Sequence, residues 1–293
     1  MAADRHVVIH YHIFKNAGST LSAALERNFG PTFASFDAKQ FNQQISNPEL
    51  LAYLRQRPHI LALTSHHSRP PKPAADGFVF HDVLVFRHPV DRIRSMYDFY
   101  RDSLLTDDPL TTEAKRLDAR GFFELLIAEF PHLVISSQVN YTANQGGKIP
   151  DEADCERACA MVRAAAVVGV TDQFDTCMAT AEHRLREFFA GLDLSYVSEN
   201  VTRGKRKSLP ERLRDFEKQC GPKLYQALLA LNALDFKLVD AARNESAARF
   251  RQMPACEAYL RQFKERVQKR KAKSPFAFSI EHPGDFSFFT RTE

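Results

Sequence analysis

Lys15, Ser19 and Thr20 stand close together in the stretch His12-Ile13-Phe14-Lys15-Asn16-Ala17-Gly18-Ser19-Thr20. One ammonium group and two hydroxyls in so short a segment suit a phosphate-like anion. An apolar alternating run, Val7-Val8-Ile9-His10-Tyr11, precedes them, and a helix-forming run, Leu21-Ser22-Ala23-Ala24-Leu25-Glu26, follows. The order is therefore strand, small-residue turn, helix. Such a turn aims successive backbone N–H groups, here those around Asn16, Ala17 and Gly18, and the positive end of a helix dipole at one spot. The common nucleotide-triphosphate loop places its Lys after the last Gly and directly before Ser/Thr. Here Lys15 comes before Gly18, which indicates a different phosphate chemistry.

A second segment offers the complement. Asp82-Val83-Leu84-Val85-Phe86 reads as a buried strand running into Arg87-His88-Pro89-Val90-Asp91-Arg92-Ile93-Arg94-Ser95. Pro89 suits the first turn of a helix. Arg87 at the strand end and Ser95 on the helix form a candidate pair for a second phosphate, because guanidinium forks match phosphate geometry. Arg92 and Arg94 are weaker candidates, one of them expected to be a solvated helix residue.

His66 and His67 close the run Ile60-Leu61-Ala62-Leu63-Thr64-Ser65. Histidine has the intrinsic pKa of a general base for a hydroxyl group. Neighbouring strand residues point to opposite faces, so one of the two faces the cleft. The sequence leaves the choice open, with His66 preferred. His10 and His12 alternate on one face of the first strand, and the simpler reading for them is packed, hydrogen-bonded histidine.

Strands are expected at 6–14, 59–65, 79–86 and 166–170. Helices are expected at 18–28, 90–102, 119–130, 152–164, 172–190, 210–219, 222–233 and 245–272, with long loops at 103–118 and 141–151. Alternating strands and helices predict an α/β fold, a parallel β-sheet flanked by helices. Ligand loops then lie at the C-terminal strand ends, where Lys15, His66 and Arg87 all fall. The chain divides on this reading into residues 1–250, the main domain, and 251–293, a C-terminal helix and Phe-rich arm packed on it or contacting another subunit of a homo-oligomer.

The 293 residues are ample for a core, and the net charge of +4 is mild. No run approaches the ~20 apolar residues of a membrane helix, and the N-terminus lacks an apolar signal region; a cytoplasmic location is expected. Five cysteines without such a signal point to free thiols, and Cys155 and Cys159, one helical turn apart, read as packing rather than metal ligands. Two basic blocks stand out: Arg203-Gly204-Lys205-Arg206-Lys207, and Arg261 to Lys273 with its seven cationic side chains. Such blocks are usually solvated faces; no aromatic residues interleave the second block in a pattern for binding nucleic acid.

Lys-x-x-Gly-Ser-Thr after a first strand, then Arg-His-Pro-x-x-Arg with Ser on the following helix, resembles the sulfotransferases that use 3′-phosphoadenosine 5′-phosphosulfate (PAPS). The likeness is to the carbohydrate branch, similar to heparan sulfate 2-O-sulfotransferases and their bacterial relatives. Weaker matches follow at Asn140–Gln145, Val168–Phe174 and Asn200–Arg203, so that it covers about residues 6 to 245. Phe14 departs from a frequent Pro, and Asn16-Ala17 from a frequent Thr-Gly. The resemblance implies a P-loop-like sulfotransferase fold. Residues 15–20 would hold the 5′-phosphosulfate, Arg87 and Ser95 the 3′-phosphate. A late basic loop with Arg203 and Lys205 would fold over the nucleotide. It further implies sulfuryl transfer to a saccharide or glycoconjugate hydroxyl with a His base and Lys15 on the leaving oxygen, and no metal. The rival readings are a nucleotide-dependent kinase, disfavoured by the absent Gly-Lys-Ser/Thr order, and a basic nucleic-acid-binding module.

Overall fold

The computed structural model describes residues 4–40, 43–104, 108–143, 146–197 and 207–273. The calls on Arg203, Lys205 and the Phe-rich arm after residue 273 lie outside the described residues.

Five parallel strands form one sheet: β1 Arg5–Tyr11, β2 Phe33–Ser35, β3 Ala62–Ser65, β4 Phe78–Phe86 and β5 Val167–Val170. Their order is β2-β3-β1-β4-β5, and helices cover both faces, which makes this an α/β fold. β1 is central, pairing with β3 on one side and β4 on the other. The chain proceeds from β1 outward to one side and then crosses to the other. The C-terminal ends beside β1 are thus a topological switch point, where a crevice forms.

The helices among the described residues run in chain order. They are α1 Gly18–Phe29, α2 Asn47–Gln56, α3 Pro89–Asp102, α4 Pro109–Arg116, α5 Ala119–Glu129, α6 Pro131–Val134 and α7 Ser137–Ala143. After these come α8 Glu152–Ala164, α9 Phe174–Leu185, α10 Leu209–Cys220, α11 Pro222–Leu231, α12 Ala233–Gln252 and α13 Cys256–Lys273. Alternation along β1 sorts its side chains between two cores. Val7, Ile9 and Tyr11 pack with α2, α7, α8 and α12. Val8 packs with α1, α9 and α13 on the opposite face. A third cluster ties α3, α4, α5, α10 and α11 together.

Several expectations are corrected. The first strand stops at Tyr11, because the chain turns there into the Lys15 loop. The 103–118 segment contains α4, started by the Asp108 side chain and Pro109, and α7 occupies the first part of the 141–151 loop. The long helix expected at 245–272 is two: α12 ends and α13 begins around Met253-Pro254-Ala255, where Pro254 cannot continue a helical hydrogen-bond ladder and Ala255 takes φ 49. β2 and α2 were not expected. The basic block Arg261–Lys273 is only partly a solvated face: Arg266 binds buried Glu182 and Asp193, and Arg270 also binds Asp193. Cys155 lies in the core. No helix among the described residues is long and apolar enough to cross a membrane.

Candidate functional site

The loop between β1 and α1 turns through two left-handed residues, Lys15 at φ 64 and Ala17 at φ 61. Side chains rarely adopt this region. The loop holds it because Asn16, between them, is nailed into the interior. Its Nδ2 donates to Val85 O at 2.9 Å and to Gln138 Oε1 at 2.8 Å. From the other side Arg87 Nη1 donates to Lys15 O at 2.9 Å. Gly18 is required at the next position, since a Cβ there would run into the His12 ring.

The N-terminus of α1 differs from those of α2, α8 and α10. Those three close with capping boxes built by Ser46, Asp151 and Ser208. At α1 no side chain caps the helix, and its first turn has no acidic residue. The first N–H groups of a helix lack intrahelical acceptors, so this end keeps its positive character toward the crevice. Lys15 reaches past it, with Nζ 4.4 Å from the centre of the Phe99 ring on α3.

Arg87 follows β4 directly, so it meets the loop at the adjacent strand end. Its Nε donates to Asp91 Oδ2 at 2.7 Å, one helical turn along α3. Asp91 is a hub that the sequence reading overlooked. Arg212 on α10 grips it with two bonds of 2.8 and 2.9 Å, and Arg94 Nε approaches at 3.3 Å. Burial pushes the Asp91 carboxyl up, but the Arg212 hydrogen bonds and the charges of Arg87, Arg212 and Arg94 outweigh it and hold it well below the usual range. Three guanidinium groups thus meet one carboxylate and leave a local positive excess. Ser95 lies half-buried on α3. Neither Arg92 nor Arg94 is solvated as expected: Arg92 is buried and donates to Leu133 O at 2.8 Å, and Arg94 pairs with Asp98 and Asp91.

The histidines separate cleanly. His66 stacks on His12, ring centres 3.8 Å apart, and His12 stacks on His10 at 5.1 Å. The column runs from the crevice down the α1 face of β1. His10 is fully buried, its Nδ1 2.9 Å from Thr64 Oγ1, which agrees with a packed, hydrogen-bonded role. Burial, with a smaller effect of the His66 charge, lowers His10 to about 3. Burial likewise lowers His12, helped by His66, His10 and Lys15. His66 is lowered to about 4, chiefly by burial, although the Asp37 charge opposes the change. All three rings are neutral near pH 7. His67 points elsewhere: it is buried, with Nδ1 3.0 Å from Asp37 Oδ1. The same oxygen accepts from His66 N at 2.6 Å. Burial raises the Asp37 carboxyl, but the His67 hydrogen bond and the His66 charge and N–H more than offset this and lower it.

The structure therefore brings Lys15, Asn16, Ala17, Gly18, Ser19, Thr20, Arg87 and His66 to the ends of three adjacent strands, with His67 one residue behind. Asp37, Asp91, Arg212 and Gln138 were missed. Asp91 had a readable signal, its i+4 spacing from Arg87; the others choose partners far away in sequence, which no local pattern records.

No family model matches the chain. Over 241 residues it is 25% identical to an uncharacterized protein of Archaeoglobus fulgidus, a match covering 80% of this chain and 95% of that one.

Proposed function

We propose that this chain is a PAPS-dependent sulfotransferase acting on a hydroxyl acceptor of carbohydrate type. The observation that carries the reading is the 2.9 Å bond from Arg87 to the carbonyl of Lys15. It joins the two anion-suited segments, far apart in sequence, at neighbouring strand ends. The donor set fits a ligand with two separate anionic groups. An uncapped helix N-terminus with Lys15 forms one cradle, and the arginine-rich start of α3 forms the other.

PAPS, when bound, supplies a sulfuryl group on an activated phosphate–sulfate linkage. The loop and the N-terminus of α1 hold its phosphosulfate; Arg87 and Ser95 hold the 3′-phosphate. Lys15 would stand by the bridging oxygen and would stabilise the charge developing there as the sulfuryl group passes to the acceptor. Transfer of this kind is mainly positioning and electrostatics. His66 accepts the acceptor's hydroxyl proton on a ring nitrogen. Its burial makes it a weaker base than free imidazole but keeps it unprotonated, so the acid limb of the rate is expected near pH 4 rather than 6.5. His67 with Asp37 is the competing base. His66 is preferred because its ring stacks against the loop residue His12.

The test is binding, then transfer. Adenosine 3′,5′-bisphosphate should bind at least about tenfold more tightly than adenosine 5′-phosphate, since a charge-assisted contact is worth about 1.5–3 kcal/mol. Arg87→Ala should abolish that preference. Labelled sulfate from PAPS should then reach one class of a panel of hydroxylated acceptors, and His66→Ala should slow it about a hundredfold with bisphosphate binding intact. Equal affinity for the two nucleotides would sink the assignment. Near-full activity of both His66→Ala and His67→Ala would sink the histidine mechanism.

A further inference from the structure

We propose that α7 is the element that sets the two halves of this site against each other, with Gln138 and Tyr141 as positioning residues. The functional meaning of that role rests on the reading above; the architecture does not.

Gln138 is fully buried and spends its whole amide on the site. Its Oε1 accepts from Arg87 N at 2.9 Å and from Asn16 Nδ2 at 2.8 Å. Its Nε2 donates to Arg87 O at 2.9 Å and to Asp235 Oδ2 at 3.3 Å. The orientation of the amide is forced, because the Arg87 N–H can only donate and its carbonyl can only accept. The Asn16 amide is then forced too, with Val85 O as its second acceptor. One side chain thus fixes both the residue between the two left-handed positions of the loop and the backbone of Arg87.

Three residues further along α7, Tyr141 holds the histidine segment. Its hydroxyl lies 2.9 Å from Ser68 O and 3.3 Å from Ser65 O. Those carbonyls bracket His66 and His67. The Arg69 guanidinium lies 3.9 Å over the Tyr141 ring and donates to His66 O. The helix is itself anchored by the start of α12: Asp235 accepts from Val139 N at 2.8 Å and Gln138 N at 3.2 Å, and Asn232 accepts from Ser136 N at 3.1 Å. Satisfied buried polar networks of this kind rigidify and specify one arrangement. Here the arrangement fixed is the distance between the Lys15 loop and His66.

The experiment compares Gln138→Met, Gln138→Glu and Tyr141→Phe with the wild type by amide hydrogen exchange, nucleotide titration and transfer rate. Gln138→Met should speed exchange across residues 13–18 and 86–88 and weaken adenosine 3′,5′-bisphosphate about tenfold, the scale of a lost buried hydrogen-bonding group. Gln138→Glu keeps the accepting oxygen but sets a second oxygen against Arg87 O and the Asp235 carboxylate, so it should loosen the same segments and weaken the bisphosphate at least as much as Gln138→Met. Tyr141→Phe, which barely alters packing, should speed exchange only across 65–69. It should leave nucleotide affinity unchanged and lower turnover at saturation. Unchanged exchange in both segments, or loosening of 13–18 by Tyr141→Phe as large as by Gln138→Met, overturns the proposal. If the wild type ignores the bisphosphate, the sulfotransferase reading fails, while the exchange pattern still decides the role of α7.

Discussion

Lowering the pH from 7 to 5 should destabilise this protein largely through its histidine column, with His81, lowered to about 4 by burial, adding to the slope. His10 is the clearest case: it is fully buried, and its pKa falls to about 3. The sign follows from linkage. The unfolded ring titrates near 6.5, so between pH 6.5 and about 3 the unfolded chain binds a proton that the folded chain refuses. Stability is therefore complete above pH 6.5 and falls as pH drops, by about 1.4 kcal/mol for each pH unit per histidine. His10 alone should cost about 2 kcal/mol at pH 5 and about 4 kcal/mol by pH 3. His66 follows the same slope down to about 4, and His12 shifts the same way. His10 and His66 together give a slope of about 2.5 kcal/mol per pH unit near pH 5, and His12 adds in the same direction, against a total stability of about 5–15 kcal/mol.

Burial pushes the Asp235 and Asp108 carboxyls up, so these two oppose the histidine slope as pH falls, while the paired carboxylates act later. Asp91 is held well below the usual range by its arginines and Asp37 is lowered by His67, so their losses come at more acid pH. The assay is urea unfolding followed by circular dichroism at half-unit steps from pH 7.5 to 4.5. His66→Gln should remove about one proton from the slope. A stability that stays flat from pH 7 to 5 would refute the column of neutral rings. So would an unchanged slope in the variant.

Two further outcomes are expected. Lys15→Ala should cut turnover at saturation more than it weakens nucleotide binding, because charge on the leaving oxygen grows only in the transition state; the reverse split in steady-state kinetics makes Lys15 a binding group alone. Gly18→Ala should drive a methyl into the His12 ring and cost about 1–3 kcal/mol of overpacking, and a thermal midpoint equal to wild type would show that the ring is not held where it stacks on His66.

The chemistry-bearing segments were legible because each is local. A strand, turn and helix within residues 7–26 announces the loop. An apolar run ending in Arg87 and Pro89 announces the second. Paired histidines after an apolar run announce the third. The parallel sheet then followed from alternation alone. What escaped was short or non-local. β2 is three residues, Phe33-Ala34-Ser35, too brief for a period. α2 carried a readable signal, Ser46 with Glu49 three residues on and Pro48 between them, and the structure bears out that capping box. Pro254 likewise marked the break between α12 and α13. Asp37, Gln138 and Arg212 had no such signal. Their partners lie across the sheet or on another helix, and pairing over that distance is decided by packing.

The same packing explains how neighbouring strand ends come to hold opposite electrostatic characters. On the β4 side, Arg87, Arg94 and Arg212 pair with the Asp91 carboxylate, which compensates part of their charge in place. On the β3 side, His10, His12 and His66 lose theirs to burial, and the charge of Lys15 deepens the loss at His12. An anion drawn to the cations therefore meets no protonated ring at the adjacent strand end. A charged His66 would pair with such an anion and give up its capacity to take a proton. Burial keeps the ring neutral, and its stack on His12 has room only because Gly18 offers no side chain. The small residue that opens α1 thus serves the loop and the histidine stack together. The sequence motif alone assigns it only to the loop.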